Sequence, residues 1–504
     1  MTVPSQLYRP PLGLLTDFYE LTMAYAAWKE GIAGREASFT VTFRRNPFEG
    51  GFTIAAGLAD VLDLIATWRL GEEDLAYLSS IENVSASSVP GTPGTPRNPP
   101  KLFDPGFVEM LRGLELDLDV DAVPEGTVLF PYEPLLRVSG PVVPGMLLES
   151  AILAILNFQS LIATKAARIC LAAAGAPVIE FGMRRAQGID GGLSAARASF
   201  IGGCDATSNT LAGRLYGIPV RGTHAHSWVM LHDSEREAFL AYARALPSNC
   251  VFLVDTYATL DGVAHAIEAA RWLRSQGKEI VGIRLDSGDL AWLSQQARKL
   301  LDEAGFPRAS ILASNELDEH VVQSLRDQNA AIAVWGVGTR LVTGHGDGAL
   351  GGVYKLGAVR AVPGTNWEPK LKVSEAIEKT SVPGIVQVRR FTQGSEAFSD
   401  AIWEEGLGIP SRCVIVDPSD PTRRREIPEG MAFEDLLVPI IRRGRRVYEP
   451  PPLETSRERT KDQLSRFHAG VKRFLNPHRF PVGLEKQLHD LRTRLVLEAR
   501  RAPE

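Results

Sequence analysis

The chain has little cysteine, no surplus of positive charge and no long apolar run free of charged groups, and each shortage removes a class of function. Its four cysteines, Cys170, Cys204, Cys250 and Cys413, show no paired spacing. That excludes a disulfide framework or a thiolate zinc site and suits reduced core thiols. A net charge of −5 excludes a general polyanion binder. Phosphate chemistry must then rest on local arginines, lysines and backbone amides, and nucleic acid is not an expected partner. The longest apolar stretch, Met146 to Ala174, carries Glu149, Asn157, Gln159, Lys165 and Arg168. A membrane span does not tolerate that distribution, so a mostly buried helix is expected. The first residues lack a basic region followed by an apolar one, so no secretion signal is expected and the expected location is cytoplasmic. No dinucleotide-binding glycine fingerprint is present.

What is there is a regular alternation. Apolar strands are predicted at Val178–Phe181, Ile218–Arg221, Val251–Val254, Ile280–Leu285, Ile311–Ala313 and Ile332–Val337. Helices are predicted between and after them at Ser234–Ala245, Leu260–Gln276, Leu290–Ala304 and Asp318–Gln328. Strand and helix in turn imply a parallel sheet, and this many units favour a barrel over an open sheet. Before it, Leu14–Trp28 reads as a helix, Ala37–Phe43 as a half-buried strand, and 84–100 as a flexible insertion rich in proline and serine. After Gly352 come short strands with Gly and Pro turns and an arginine-rich hairpin at Ile440–Tyr448. Helices are expected at Thr460–Phe474 and Leu484–Arg500. The expected units are 1–125, 126–350, 351–450 packing back on the first, and a helical tail, 451–504.

The polar residues gather just past the predicted strands: Glu180-Phe-Gly-Met-Arg-Arg185, Thr223-His-Ala-His-Ser227, Asp255-Thr-Tyr257, Arg284-Leu-Asp-Ser-Gly-Asp289, Ser314-Asn-Glu316 and Gly336-Val-Gly-Thr-Arg340. In a barrel these ends converge on one mouth, where such folds place their sites. Arg184, Arg284 and Arg340 offer forked donors for carboxylate or phosphate, and Gly336-Val-Gly338-Thr339 offers backbone amides without bulk. Asp286 and Asp289 suit ribose hydroxyls or a magnesium ion. Together they describe an anionic, sugar-like substrate.

These motifs, with Thr16-Asp-Phe-Tyr-Glu-Leu-Thr-Met23, Ala206-Thr-Ser-Asn209 and Gly351-Gly-Val-Tyr-Lys-Leu356, resemble the nicotinate phosphoribosyltransferases from about residue 10 to about 440. The resemblance implies an irregular α/β barrel of the type II phosphoribosyltransferase kind, with a mixed α+β domain built from N- and C-terminal segments. It implies a homodimer with shared sites. The implied reaction joins nicotinate to phosphoribosyl pyrophosphate with magnesium and coupled ATP hydrolysis, formally a C–N ligase reaction. By the same resemblance His226 accepts the phosphoryl group and Asp255 orients its ring. Tyr19 and Phe181 sandwich the pyridine, Arg284 and Ser208 face its carboxylate, Arg184, Gly338 and Thr339 take phosphate, and Asp286 and Asn315 hold ribose. Ser227 is a polar neighbour of His226 in the substrate site, and Asp289 is the metal candidate.

The sequence departs from the family where Asp-Thr-Tyr-Asp becomes Asp255-Thr-Tyr-Ala258, and in the 84–100 insertion. Two rivals remain open at this point. His224-x-His226 at a strand end also suits a metal hydrolase, with His224 otherwise a bystander. A nicotinamide-using relative is expected to carry an acid at Ser208, which would repel a carboxylate.

Overall fold

The computed structural model describes residues 12–83, 100–375 and 379–501. The insertion expected at 84–100 lies outside the described residues apart from Pro100. Its two flanks are fastened together, because Asn83 N–H donates to Pro100 O at 2.7 Å and Glu82 pairs with Lys101.

Three large sheets organise the chain. The predicted alternation builds a six-stranded parallel sheet in the order Ala206–Thr207, Val178–Glu180, Val334–Val337, Ser310–Ala313, Gly282–Leu285, Val251–Leu253. Its helices form where predicted, at Glu235–Ala245, Thr259–Ser275, Leu290–Glu303 and Glu319–Asp327. Residues from all six strands surround one interior cavity of about 380 Å³, so the sheet curls on itself.

One predicted strand is different. Ile218–Arg221 does not form a full strand; only Val220 pairs, in a single bridge to Thr207, and the short strand Ala206–Thr207 takes the place in the sheet. Pro219 supplies no N–H for a ladder, which limits the segment to an edge contact.

A seven-stranded sheet joins distant parts of the chain: Val353–Arg360 pairs with Glu36–Thr42, and Val438–Arg442 pairs with Asp119–Ala122. The arginine hairpin forms its edge, with Arg445–Arg446 returning on Val438–Arg442. The second six-stranded sheet corrects the expectation of a purely helical tail. Val482–Glu485 inserts between Glu396–Glu404 and Cys413–Val416, and the final helix begins only at Lys486. Two flanking strands supply ladder partners that a helix-period reading of 484–500 cannot anticipate. Similarly, the helix expected over Thr460–Phe474 runs earlier, over Leu453–Ser465, with a short 3₁₀ turn at Ala469–Lys472.

The apolar stretch forms two helices, Val142–Leu147 and Glu149–Ala173, together long and apolar enough to cross a membrane by length and composition. Its packing is that of a core element. Glu149–Ala173 lies against Gly188–Ile201 and Glu319–Asp327. Lys165 Nζ and Arg168 Nε reach the buried Glu319 at 2.7 and 2.8 Å. Two buried cations share one carboxylate, so removing it leaves both uncompensated. Glu319→Ala is expected to lower unfolding free energy by about 3–5 kcal/mol in urea titrations. Glu303→Ala, whose partner Lys299 is exposed, is the control and should leave the midpoint unmoved.

Candidate active site

The strand ends meet as expected, and a connected polar network runs across them. Arg284, at the end of Gly282–Leu285, is held by three oxygens. Its Nε donates to Ser314 Oγ at 2.8 Å, its Nη2 to Asp286 Oδ1 at 2.9 Å, and its Nη1 to Thr223 Oγ1 at 3.4 Å. Ser314 Oγ donates in turn to Asp286 Oδ1. A guanidinium fixed at this many points is pre-oriented for a planar carboxylate. It stands 5.4 Å from the ring centroid of Phe181. That ring has room only because residue 336 is glycine; a Cβ there would lie 2.6 Å from the ring.

Phe181 and Thr223 cap the interior cavity, whose walls include Ile179, Ala206, Val251 and Leu312. The mouth therefore combines an apolar slot, one aromatic face and one clamped cation, a combination that suits a flat anionic ring. The neighbouring turns are tied from beneath by Glu180, a buried carboxylate raised in pKa by its burial. It accepts from Thr207 Oγ1 at 2.6 Å and from Gly182 N–H. Ser208 follows, half-buried, its N–H donating to Glu180 O at 2.9 Å.

His226 opens the short helix His226–Met230. Its Nδ1 shares a hydrogen bond of 3.2 Å with Thr256 Oγ1, and its Nε2 lies 3.9 Å from Asp286 Oδ2 with the ring 42% exposed. Asp255, expected to orient this ring, faces elsewhere: its Oδ2 accepts from Asp286 N–H and Ser287 Oγ, each at 2.7 Å. The 286–287 turn offers two donors in place of one ring nitrogen. Thr256 is thus the partner that sequence reasoning missed, although it sits inside the Asp255-Thr-Tyr257 strand end.

Other expected residues are placed less centrally. Asp289 is exposed and caps the helix Leu290–Glu303, its Oδ1 accepting from Trp292 N–H at 3.1 Å. Arg184 and Ser227 are exposed on short helical turns. Asn315 is exposed with φ +90°, a strained conformation at a strand end. Gly338 precedes Thr339, whose hydroxyl donates to Glu316 at 3.1 Å. Arg340 is occupied by Asp318 at 2.6 Å. Tyr19 lies on the helix Phe18–Lys29, where burial and then Glu149 and Glu20 push its hydroxyl up to about 12. Among the described residues its polar partners are Glu149, Ser150 and Thr22, none of them at a strand end.

Magnesium is tested by the carboxylates present. Among the described residues Asp255 Oδ1 is buried without a hydrogen-bond partner, and Asp286 Oδ2 faces the His226 ring at 3.9 Å. Two such oxygens beside bound phosphates fit the sparse protein ligation that magnesium takes. The hydrolase rival fares worse. His224 is buried against Tyr242 at 5.0 Å, its Nε2 accepts from Leu253 N–H at 3.2 Å, and its Nδ1 donates to Ala225 O at 3.3 Å. Both ring nitrogens are spent on backbone, and among the described residues no group of three or more His, Cys, Asp or Glu is arranged to hold a metal.

Comparison with known proteins adds independent findings. The nicotinate phosphoribosyltransferase N-terminal domain family matches residues 14–157 and its C-terminal domain family matches residues 387–492. The chain is 37% identical over 500 residues to a nicotinate phosphoribosyltransferase of Bacillus subtilis, covering 97% of each. It is 33% identical to the human nicotinate phosphoribosyltransferase, covering 95% of each. The crystal structure of human nicotinic acid phosphoribosyltransferase superposes with a TM-score of 0.80, covering 95% of this chain and 99% of that one at 32% identity.

Burial holds the His224 pKa down at about 4, against 6.5 for the free side chain. The unfolded chain therefore takes up this proton first, and the His224 contribution is complete above pH 6.5 and lost as pH falls toward 4. Wild type is expected to lose roughly 3 kcal/mol of stability over that window through this group. Urea midpoints measured across it should fall less steeply in His224→Gln.

Proposed function

Because the chain belongs to the nicotinate phosphoribosyltransferase family, we propose that it joins nicotinate to phosphoribosyl pyrophosphate, giving nicotinate mononucleotide and pyrophosphate, and couples this to ATP hydrolysis through a phosphohistidine. The observation that carries the choice of nicotinate is the Arg284 guanidinium, clamped by Ser314, Asp286 and Thr223 beside the Phe181 ring. A carboxylate-bearing ring stacked on Phe181 would meet that cation, and Ser208 brings no negative charge to oppose it.

His226 Nε2 is the nitrogen suited to receive the γ-phosphoryl group of ATP, with ADP leaving, because Nδ1 is engaged by Thr256 and the Nε2 side is open. The new charge arises beside Asp286, which Arg284 already offsets. Magnesium, when bound, neutralises phosphate charge, and Asp255 and Asp286 are the residues that would hold it. Loss of pyrophosphate builds positive charge on the ribose, which Asp286 can stabilise while Asn315 positions the sugar; Gly338, Thr339 and Arg184 take the phosphate.

Tyr19 supports a shared site. Its helix exposes Phe18, Tyr19 and Met23, with Leu15 exposed just before it, and the rim near His226 exposes Met230 and Tyr257. In a homodimer the two apolar surfaces would cover each other, and Tyr19 of the partner subunit would complete the sandwich on Phe181. The four unpaired cysteines fit a cytoplasmic setting.

Pyrophosphate release assayed with nicotinate and nicotinamide, with and without ATP, tests this reading. Nicotinate is expected to be used far better, and faster with ATP; preferential use of nicotinamide would contradict it. Arg284→Ala should raise the apparent KM for nicotinate about 10–100-fold, the scale of a lost charged hydrogen bond, and move the KM for ATP much less. Equal weakening of both would remove the carboxylate contact from the account. His226→Ala should keep a weak ATP-independent reaction and lose coupled hydrolysis.

A further inference from the structure

A cleft of about 1200 Å³ opens between the segment 44–51, the turns at 318–320 and 345–347, and the loops 415–425 and 474–482. None of His226, Arg284, Asp286 or Phe181 lines it. Among the described residues four of its five carboxylates are already engaged, the exposed Glu49 being the fifth. Asp347 holds Arg45 at 3.1 Å and accepts from Phe48 N–H, Asp318 holds Arg340, and Asp417 accepts from the N–H groups of Ser419 and Asp420. Of its six arginines, Arg45 and Arg423 are paired, with Asp347 and Asp420. Among the described residues Arg44, Arg424 and Arg479, from three separate walls, make no ion pair, and His345 and His478 face the same space.

The floor adds to this positive surplus. Lys165 lines the cleft, and it shares the carboxylate of Glu319 with Arg168. Arg168 is 1% exposed, and among the described residues its Nη1 and Nη2 have no hydrogen-bond partner. Gly50, which lines the cleft, approaches that guanidinium so closely that a Cβ would lie 2.7 Å from Nη1. Buried donors without acceptors are rare, and here they stand one glycine away from an open cavity. Phe48 and Glu49 beside it hold left-handed φ angles of 59° and 50°, a strain that persists where surroundings fix a clamp. Phe48, Phe474 and Phe480 give the cleft flat apolar faces between the cations.

We propose that this cleft binds a phosphate-chain anion, either inorganic polyphosphate or the triphosphate of a nucleoside triphosphate, at a site separate from the strand-end pocket. Three guanidiniums without an ion pair among the described residues, one of them with its Nε on Pro421 O, suit several negative charges on one ligand, and arginine forks match phosphate oxygens. The cleft also touches the phosphate turn of the main site: Arg340 binds Asp318 on the cleft wall and lies 3.6 Å from Glu316, which accepts from Thr339. Occupancy is therefore positioned to bear on the Gly338–Thr339 turn.

Hydrogen exchange read by mass spectrometry on the full-length chain, titrated with inorganic tripolyphosphate, locates the site directly. Exchange is expected to slow in 420–427 and 474–482. In an Arg424→Glu, Arg479→Glu double variant the concentration needed for that slowing should rise about tenfold or more, the scale of losing charged hydrogen bonds, while any slowing at 222–228 stays as in wild type. No slowing in those two segments of the wild type, or slowing that the double variant retains unchanged, overturns the proposal, and the wild-type map alone decides if the variant does not fold. ATP acting at lower concentration than tripolyphosphate identifies the nucleotide as the source, and equal action identifies the phosphate chain alone. Adenosine acting as well as ATP contradicts the proposal. Because the strand-end loops are read in the same experiment, failure here is distinct from failure of the nicotinate reading.

Discussion

A parallel sheet that curls about a common interior must deal with its two edges, and here the edges never pair. The gap between Ala206–Thr207 and Val251–Leu253 is spanned by the segment 219–224. On one side Thr207 N–H donates to Pro219 O and Arg221 N–H to Thr207 O, each at 3.0 Å. On the other, Leu253 N–H donates to the neutral ring of His224 at 3.2 Å. A buried imidazole replaces a missing backbone acceptor, which requires that it stay unprotonated. The consequence reaches the chemistry: the same segment delivers Thr223 to Arg284 and His226 to Thr256 and Asp286.

Two histidines one residue apart thus divide the work. His224 turns inward and closes the sheet; His226 turns outward and stays partly exposed. An extended segment alone would put residues 224 and 226 on one face, so the division comes from the chain turning into the helix His226–Met230 at the second histidine. Buried charge is handled in the same economical manner, with Glu319 serving Lys165 and Arg168 at once. The charge left over lies under the second cleft.

Much of this was legible in the sequence for a physical reason. Apolar runs bounded by polar ends mark buried parallel strands, so five of the six strands and the residues just past them could be placed from pattern alone. Ile218–Arg221 was overread because an apolar run says that a segment is buried, not that it has a ladder partner. Val482–Glu485 was missed because its partners lie more than sixty residues away at Cys413–Val416 and Glu396–Glu404, information that local periodicity does not hold. Within the site, Arg284, Asp286, His226 and Phe181 came from motif and position, whereas the contact of Thr256 with the ring, in place of Asp255, depends on a turn geometry that only the assembled strands define. Asp289 has a use that its motif did not signal, since its carboxylate caps the helix Leu290–Glu303.

The central claim is that His226 is the outward-facing phosphoryl acceptor of a sheet closed by its neighbour His224. Incubation with γ-labelled ATP, rapid quenching in alkali and peptide mapping tests it most directly. The account predicts an acid-labile, alkali-stable label on the peptide containing His226, discharged when nicotinate and phosphoribosyl pyrophosphate are added. Label on another residue, or ATP-stimulated turnover with no labelled histidine at any time, would contradict it.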